Sequence, residues 1–433
     1  MKKLVFVFFA GIIAFSGCSD KVTETVTYMV NEPVFMPTKA FRESVSVSSK
    51  PQPISNYGKM CFYEGYIYIS ESEKGIHIIN NTNPSKPQNV GFIELMGNAD
   101  LAIRNGILYA DAYIDLVWFD ISNPAKPKPE GRLEDVFQDA LPVIDNEFGY
   151  DYNLCYGEES ARKGVIVGWK LKKRTENTYK NSGGWWNGGG RLDALVYSTV
   201  ESKGNSTGVN GSMSRFALYR NYLYSVINNY MSIIDLSGSA PVKAVERFYI
   251  GSNVETIFSY KDNMFMGTPV GMLIYSVANP LQPEYVRAVW HVFGCDPVVV
   301  ENDMAYVTIH SGNACGQTNN DLMIYDVSDV SDPRHIVTYA MKNPKGLGID
   351  NGILFLCDDG LKIFNATDPQ TLMANRLAHY SGMDGFDVIP FNNLLMMIAD
   401  DGLYQYQYDF SEISASQSQP QIKQLSKLPF VRK

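Results

Sequence analysis

Catalytic signatures are almost missing from this sequence. It has no P-loop, dinucleotide fingerprint, H-E-x-x-H or C-x-x-C, and only five His, scattered along the chain. Nucleotide, redox and zinc-protease chemistry therefore have no motif to rest on. Gly204-Asn205-Ser206-Thr207-Gly208 spells G-x-S-x-G. It lies in a Gly/Ser/Asn-rich stretch, however, and not at the strand-to-helix elbow where that motif becomes reactive. Basic runs are missing too. Lys and Arg number 37 against 46 Asp and Glu, a formal charge of −9, which opposes nucleic-acid binding and adhesion to anionic lipid. Beyond the N-terminus no apolar stretch is long enough to cross a bilayer.

The first thing present is a leader. Lys2-Lys3 precede an apolar run over residues 4–15, so residues 1–17 read as a signal peptide. The run ends in Phe15-Ser16-Gly17-Cys18, which resembles a bacterial lipobox with Cys18 as the lipidated first residue of the mature chain. The expected product is exported, anchored to a membrane through lipid and, with Ser19 after Cys18, sorted to the outer membrane. Residues 18–43 read as the linker behind the anchor. Loss of Lys2 and Lys3 takes the formal charge from −9 to −11.

One phrase then recurs: a short apolar strand, Asn or Asp, and a Pro-punctuated turn. Leu116-Val117-Trp118-Phe119-Asp120 leads to Asn123-Pro124, Met272-Leu273-Ile274-Tyr275-Ser276 to Asn279-Pro280, and Leu322-Met323-Ile324-Tyr325-Asp326 to Asp332-Pro333. An Asn- or Gly-led partner strand precedes each phrase, and seven such units can be traced. Pro84 and Pro124 are 40 residues apart, Pro241 and Pro280 are 39, and Pro333 and Pro369 are 36. That period belongs to four-stranded propeller blades. The Asn or Asp caps the turn through its side chain, and Pro cannot continue the ladder, so the chain leaves the sheet there. The reading is an all-β propeller of seven four-stranded blades over residues 44–410.

Two places break the rhythm. Pro124 and Pro241 are 117 residues apart, so residues 136–212 read as an insertion between blades two and three, with an eighth, degenerate blade as the alternative. Unit seven lacks the Pro turn and an outer strand; Ser44-Val45-Ser46-Val47 is expected to supply that strand and close the ring. Residues 411–433 read as a flexible tail.

The units resemble the LVIVD-repeat proteins, on the strength of Leu116-Val117-Trp118-Phe119-Asp120-Ile121-Ser122-Asn123-Pro124 and Leu322-Met323-Ile324-Tyr325-Asp326-Val327-Ser328. The resemblance spans residues 57–409 apart from the insertion. It implies a propeller-like, exported or cell-surface protein and supplies no catalytic residues.

If the blades have the usual strand order, the lead-in to each innermost strand and the loop between second and third strands open on one face. That face gathers Asp100, Asp296, Asp384 and Asp387 from lead-ins, and Asp111, Asp115, Asp358, Asp400 and Asp401 from second-to-third loops. Each Asp taken singly is a common turn former. Together they would make an acidic mouth able to attract Ca²⁺ or a cationic ligand. Cys295 and Cys315 fall in two loops of one blade on the same face, and a disulfide there would close about 20 residues and contribute ~3 kcal/mol. A zinc reading through His291 and His310 is the weaker use of those Cys in an exported chain. Cys61, Cys155 and Cys357 have no pairing legible in sequence. Trp185 and Trp186, on a Gly-rich stretch of the insertion, offer either a stacking platform or a surface pin.

The functional expectation is a non-enzymatic platform of the cell envelope that binds a ligand or partner protein on the long-loop face. It needs no cofactor and binds no nucleic acid. The alternative is a carbohydrate-binding or carbohydrate-active surface protein using the acidic face and the Trp loop. An enzyme of that kind would need paired carboxylates at a defined separation.

Overall fold

The computed structural model describes residues 22–138, 140–144, 147–180, 209–210, 214–290, 297–310, 319–410 and 421–431. Seven antiparallel sheets, each built on four strands taken in chain order and one of them extended to six, form the blades of a propeller. Blade 1 runs from Tyr57–Tyr63 to Gln88–Glu94, blade 2 from Leu101–Arg104 to Lys128–Leu133 and blade 3 from Phe216–Tyr219 to Val242–Tyr249. Blades 4 and 5 run from Thr256–Tyr260 to Glu284–Trp290 and from Val298–Glu301 to Arg334–Ala340. Blade 6 spans Leu347–Asp350 to Arg376–Tyr380, and blade 7 spans Gly385–Phe391 to Gln421–Pro429.

The continuous apolar runs arise because inner strands are covered on both faces. On Leu394–Ala399, Met396 and Ile398 pack with Ile67 and Ile69 of blade 1, while Leu395 and Met397 pack with Phe355 and Ile363 of blade 6. Alternate side chains thus serve opposite neighbours, and neither set can be polar.

The recurring turn works as its letters suggest. Asp120, Asp235 and Asp326 accept hydrogen bonds from the amides of Ser122, Ser237 and Ser328 two residues on, at 2.7, 2.8 and 2.9 Å. The Pro carbonyl that follows has a second use. Tyr68 Oη donates to Pro124 O of the next blade at 3.0 Å, and Tyr224 Oη donates to Pro280 O at 2.8 Å. The turn therefore latches neighbouring blades as well as ending a ladder.

Ring closure differs from the expectation. The outer strand of blade 7 is Gln421–Pro429, paired antiparallel with Gly402–Asp409; it does not come from residues 44–47. Ser46–Ser48 instead adds to Gln88–Glu94 as an extra strand on the outer edge of blade 1. The propeller consequently extends past residue 410, and residues 421–429 are not a flexible tail. Their polar alternation hid them: an outer strand faces solvent, so Lys423, Gln424 and Lys427 suit it. Blade 7 meets blade 1 through reciprocal Asn81–Gln405 amide hydrogen bonds of 2.8 and 2.6 Å, and Ser426 Oγ donates to Pro84 O at 2.6 Å.

The 136–212 segment contributes no eighth blade among the described residues. It carries two short helices, Tyr152–Cys155 and Glu158–Lys163, then the long strand Val165–Lys180. That strand pairs along its length with Val22–Met36, so most of the expected linker is one arm of a two-stranded ribbon. At ~3.3 Å per residue the ribbon is roughly 50 Å long. Val209–Asn210 returns to pair with Phe62 and Cys61 on the innermost strand of blade 1.

Candidate functional site

The lead-ins and the second-to-third loops open on one face, and the insertion packs over those of blades 1–4. Between propeller and insertion lies a small open cleft with a cavity volume of about 70 Å³. The propeller side is built from Ser72 and Glu73 of blade 1, Gly97, Asp111 and Tyr113 of blade 2, Arg215 of blade 3 and Glu255 of blade 4. The insertion supplies Tyr150, Tyr156 and Trp169. The Tyr150 and Trp169 rings lie 5.3 Å apart, and Trp169 Nε1 donates to Pro142 O at 2.9 Å, fixing the indole.

Local chemistry holds each wall in position. Gly97 adopts φ 81°, and a Cβ there would sit 2.3 Å from the Tyr113 ring, so only Gly lets that ring reach the cleft. The Tyr113 hydroxyl donates to Val167 O of the insertion at 3.4 Å and stands beside Glu73, whose carboxylate accepts from the Val143 amide at 2.5 Å. Burial nevertheless raises the Glu73 carboxyl above its usual range.

Beneath the cleft is a buried charged cluster. Lys59 Nζ, on the innermost strand of blade 1, lies 3.1 Å from Asp100 Oδ2 at the lead-in of blade 2. Asp100 also accepts from Ser214 Oγ at 2.9 Å and the Arg215 amide at 2.7 Å, tying three blades together. Burial pushes the Lys59 ammonium down to about 8 despite the opposing charge of Asp100. Asp111 Oδ1 accepts from the Ala99 and Asp100 amides, both at 2.7 Å, while its Oδ2 stands 3.9 Å from the Arg215 guanidinium. Burial pushes the Asp111 carboxyl up to about 6, with Arg215 and the two amides pulling against it.

The other expected carboxylates have internal partners. Asp115 is fully buried between Arg42 and Arg132, at 2.9 and 2.8 Å. Asp358 binds Lys362 at 2.5 Å and accepts the amides of Lys342 and Asn343. Asp384 pairs with Lys345 at 2.6 Å, and Asp401 pairs with Lys427 at 2.5 Å. Asp400 Oδ1 accepts the Asp384 amide at 3.0 Å. Asp387 is fully buried on the innermost strand of blade 7, with its Oδ1 against Gly346, where a Cβ would collide. Thus Asp111 alone of these nine expected positions lines the cleft among the described residues, and much of the face's acidity is matched within the protein. The ninth, Asp296, together with Cys295, Cys315, His291, Trp185, Trp186 and Cys18, lies outside the described residues. His310 is described, and burial together with the Lys345 charge lowers its imidazole pKa. Cys61, Cys155 and Cys357 are buried thiols. Among the described residues no group of three or more His, Cys, Asp and Glu is placed to hold a metal ion. No helix there is long and apolar enough to cross a membrane.

Sequence reasoning found the face but missed most of the cleft. Lys59 had one signal, an ammonium inside the apolar strand Tyr57–Tyr63. Tyr150, Tyr156 and Trp169 had none, because nothing local shows where an insertion folds back.

No curated protein matches the chain in sequence. Among solved structures it is similar to the periplasmic gluconolactonase PpgL of Pseudomonas aeruginosa, at 10% identity and a TM-score of 0.51, covering 89% of this chain and 98% of that one. It is equally similar to a Lactobacillus plantarum protein, at 11% identity and a TM-score of 0.51, over 85% and 96% of the two chains. At such identity these likenesses show the fold alone. The LVIVD repeat matches residues 59–93, 99–135, 210–248 and 298–340, which are blades 1, 2, 3 and 5. A ring of such blades, latched through its Asx-Pro turns and carrying this repeat at four positions, makes the chain a member of the LVIVD-repeat family.

Proposed function

We propose that the chain is an exported, lipid-anchored propeller whose activity is to bind a ligand in the cleft between blades 1–4 and the insertion. One observation carries this reading. Loops from four separate blades and the insertion converge on one concave site with aromatic walls and a few placed charges. Export and anchoring rest on the leader and Cys18. The likeness to PpgL, a gluconolactonase by name, supports a shared scaffold and nothing more specific.

A carbohydrate ligand is the second reading, favoured by the Tyr150–Trp169 ring pair beside carboxylates. Both readings place binding at Trp169. Thermal-shift screening of the anchored protein against glycans and envelope proteins, with and without Ca²⁺, should return a stabilising ligand. Trp169→Ala should abolish that shift; an unchanged shift in the variant would move binding away from the cleft. Cys18→Ser should release the protein from the membrane fraction, and continued membrane retention would refute the lipid anchor.

A further inference from the structure

A linker behind a lipid anchor has only to be flexible and long enough. This chain builds something else from it. Val22–Met36 is paired over fifteen residues with Val165–Lys180 of the insertion, with one irregularity at Val34/Phe35. A second strand adds nothing to a tether; it matters when the connection must keep a shape.

The inner end of the ribbon is built into the body. Met36, Val165 and Val167 pack with the core of blades 1 and 2, and Phe35, Ile166 and Trp169 pack with Tyr150 and Cys155 of the insertion. Asn31 Nδ2 donates to Phe148 O at 2.5 Å, and Arg174 Nη1 donates to Asp151 Oδ2 at 3.0 Å. Farther out, both faces meet solvent. Val26 and Glu176 share one face, Thr27 and Thr175 share the other, and all four are exposed. The strands hold each other there: Tyr28 Oη donates to Glu176 Oε1 at 2.9 Å, and the Thr27 and Thr175 hydroxyls lie 3.1 Å apart. Cross-strand pairs of this kind stabilise a ribbon that no third strand supports.

Neither face is suited to lie on lipid. An element that lies on a bilayer needs one apolar face, with Lys or Arg on the other. Here Val26, Tyr28 and Val30 stand across from Glu176, Arg174 and Lys172, and the opposite face carries Thr25, Thr27, Thr175 and Lys173 beside Met29. End-on contact is the arrangement left. The outer end of the ribbon is Val22 opposite Lys180, and Cys18 stands four positions before Val22, at most ~14 Å of chain.

We propose that the ribbon is a stand-off, meeting the bilayer end-on and holding the propeller with its cleft clear of the surface. This rests on the lipid anchor at Cys18. Trp169, which walls the cleft, is paired with Pro33, eleven residues along the strand from Val22. At ~3.3 Å per residue that is about 36 Å, so the cleft stands roughly 35–50 Å from the headgroups.

Neutron reflectometry of the full lipidated protein on a supported bilayer reads the height of the propeller directly. Two variants change the length of the ribbon. One deletes residues 24–27 together with their partners 175–178; the other repeats both segments. Four pairs are an even number, so every remaining side chain keeps its face. The shorter ribbon should lower the propeller by about 13 Å, and the longer one should raise it by about 13 Å. Damage to the fold would not produce shifts of opposite sign. An unaltered protein whose propeller rests against the headgroups, or one height shared by all three proteins, would overturn the stand-off and leave the anchor in place. Failure of the protein to stay on the bilayer, with Cys18→Ser no different, would overturn the anchor and the stand-off together.

Discussion

Substitution of Asp100 by Ala would strand the Lys59 ammonium inside the ring. The two side chains are 4% and 1% exposed and 3.1 Å apart. The same carboxylate accepts hydrogen bonds from Ser214 Oγ and from the Arg215 and Leu101 amides. Removing one partner of such a buried pair costs about 3–5 kcal/mol, because the other charge is left unpaired. Unfolding entropy is near 2.1 cal/mol/K per residue, so 433 residues give about 0.9 kcal/mol/K. Tm should therefore fall by roughly 3–5 °C in scanning calorimetry. Lys59→Met should cost less, since Asp100 keeps its three neutral donors. In the Lys59→Met background, Asp100→Ala should lose at least ~1 kcal/mol of its effect. Costs that add to within about 0.5 kcal/mol in the double variant would refute the pair as the cause.

Deleting the chain after residue 420 removes the outer strand of blade 7 and bares Gly402–Asp409 as an edge. The truncated protein should lose at least about 5 °C in Tm and self-associate in size-exclusion chromatography. Asp115→Ala leaves Arg42 and Arg132 facing each other without their shared anion. It should cost about 3 kcal/mol and expose the chain near Ser46–Ser48 to limited proteolysis. At Glu71, burial opposes the charge, but hydrogen bonds from His77, Ser55 and the Ser55 and Asn56 amides outweigh it, lowering the carboxyl to about 2 from 4.5. A depressed carboxyl stabilises the fold above its unfolded value, and that stability disappears as pH falls from 4.5 towards 2. Acid unfolding of Glu71→Gln should be flatter across that window; an unchanged acid limb would show that Glu71 contributes nothing there.

The blades were readable because their signals are local. Leu116-Val117-Trp118-Phe119-Asp120 forms a strand from its own composition, and Asp120 caps its turn with an amide two residues away. Closure was not readable, because Gln421–Pro429 is an outer strand with the polar face such strands present to water. By composition it looks like a tail. The site divides the same way. Asp111 was legible as a loop carboxylate on the face where the cleft lies, whereas Asp115 and Asp358 looked identical in sequence and turned out to be buried in ion pairs.

By itself, then, the sequence determined the all-β class, the blade period and the face on which the longer loops gather, since each depends on residues a few positions apart. Tertiary structure decided which strand closes the ring, which carboxylates find cations, and where the insertion lays Tyr150, Tyr156 and Trp169. Those outcomes depend on groups brought together across tens or hundreds of residues: Asn81 with Gln405, Lys59 with Asp100, Asp100 with Ser214. Charge balance in a folded protein belongs to such neighbourhoods, and a linear sequence does not display them.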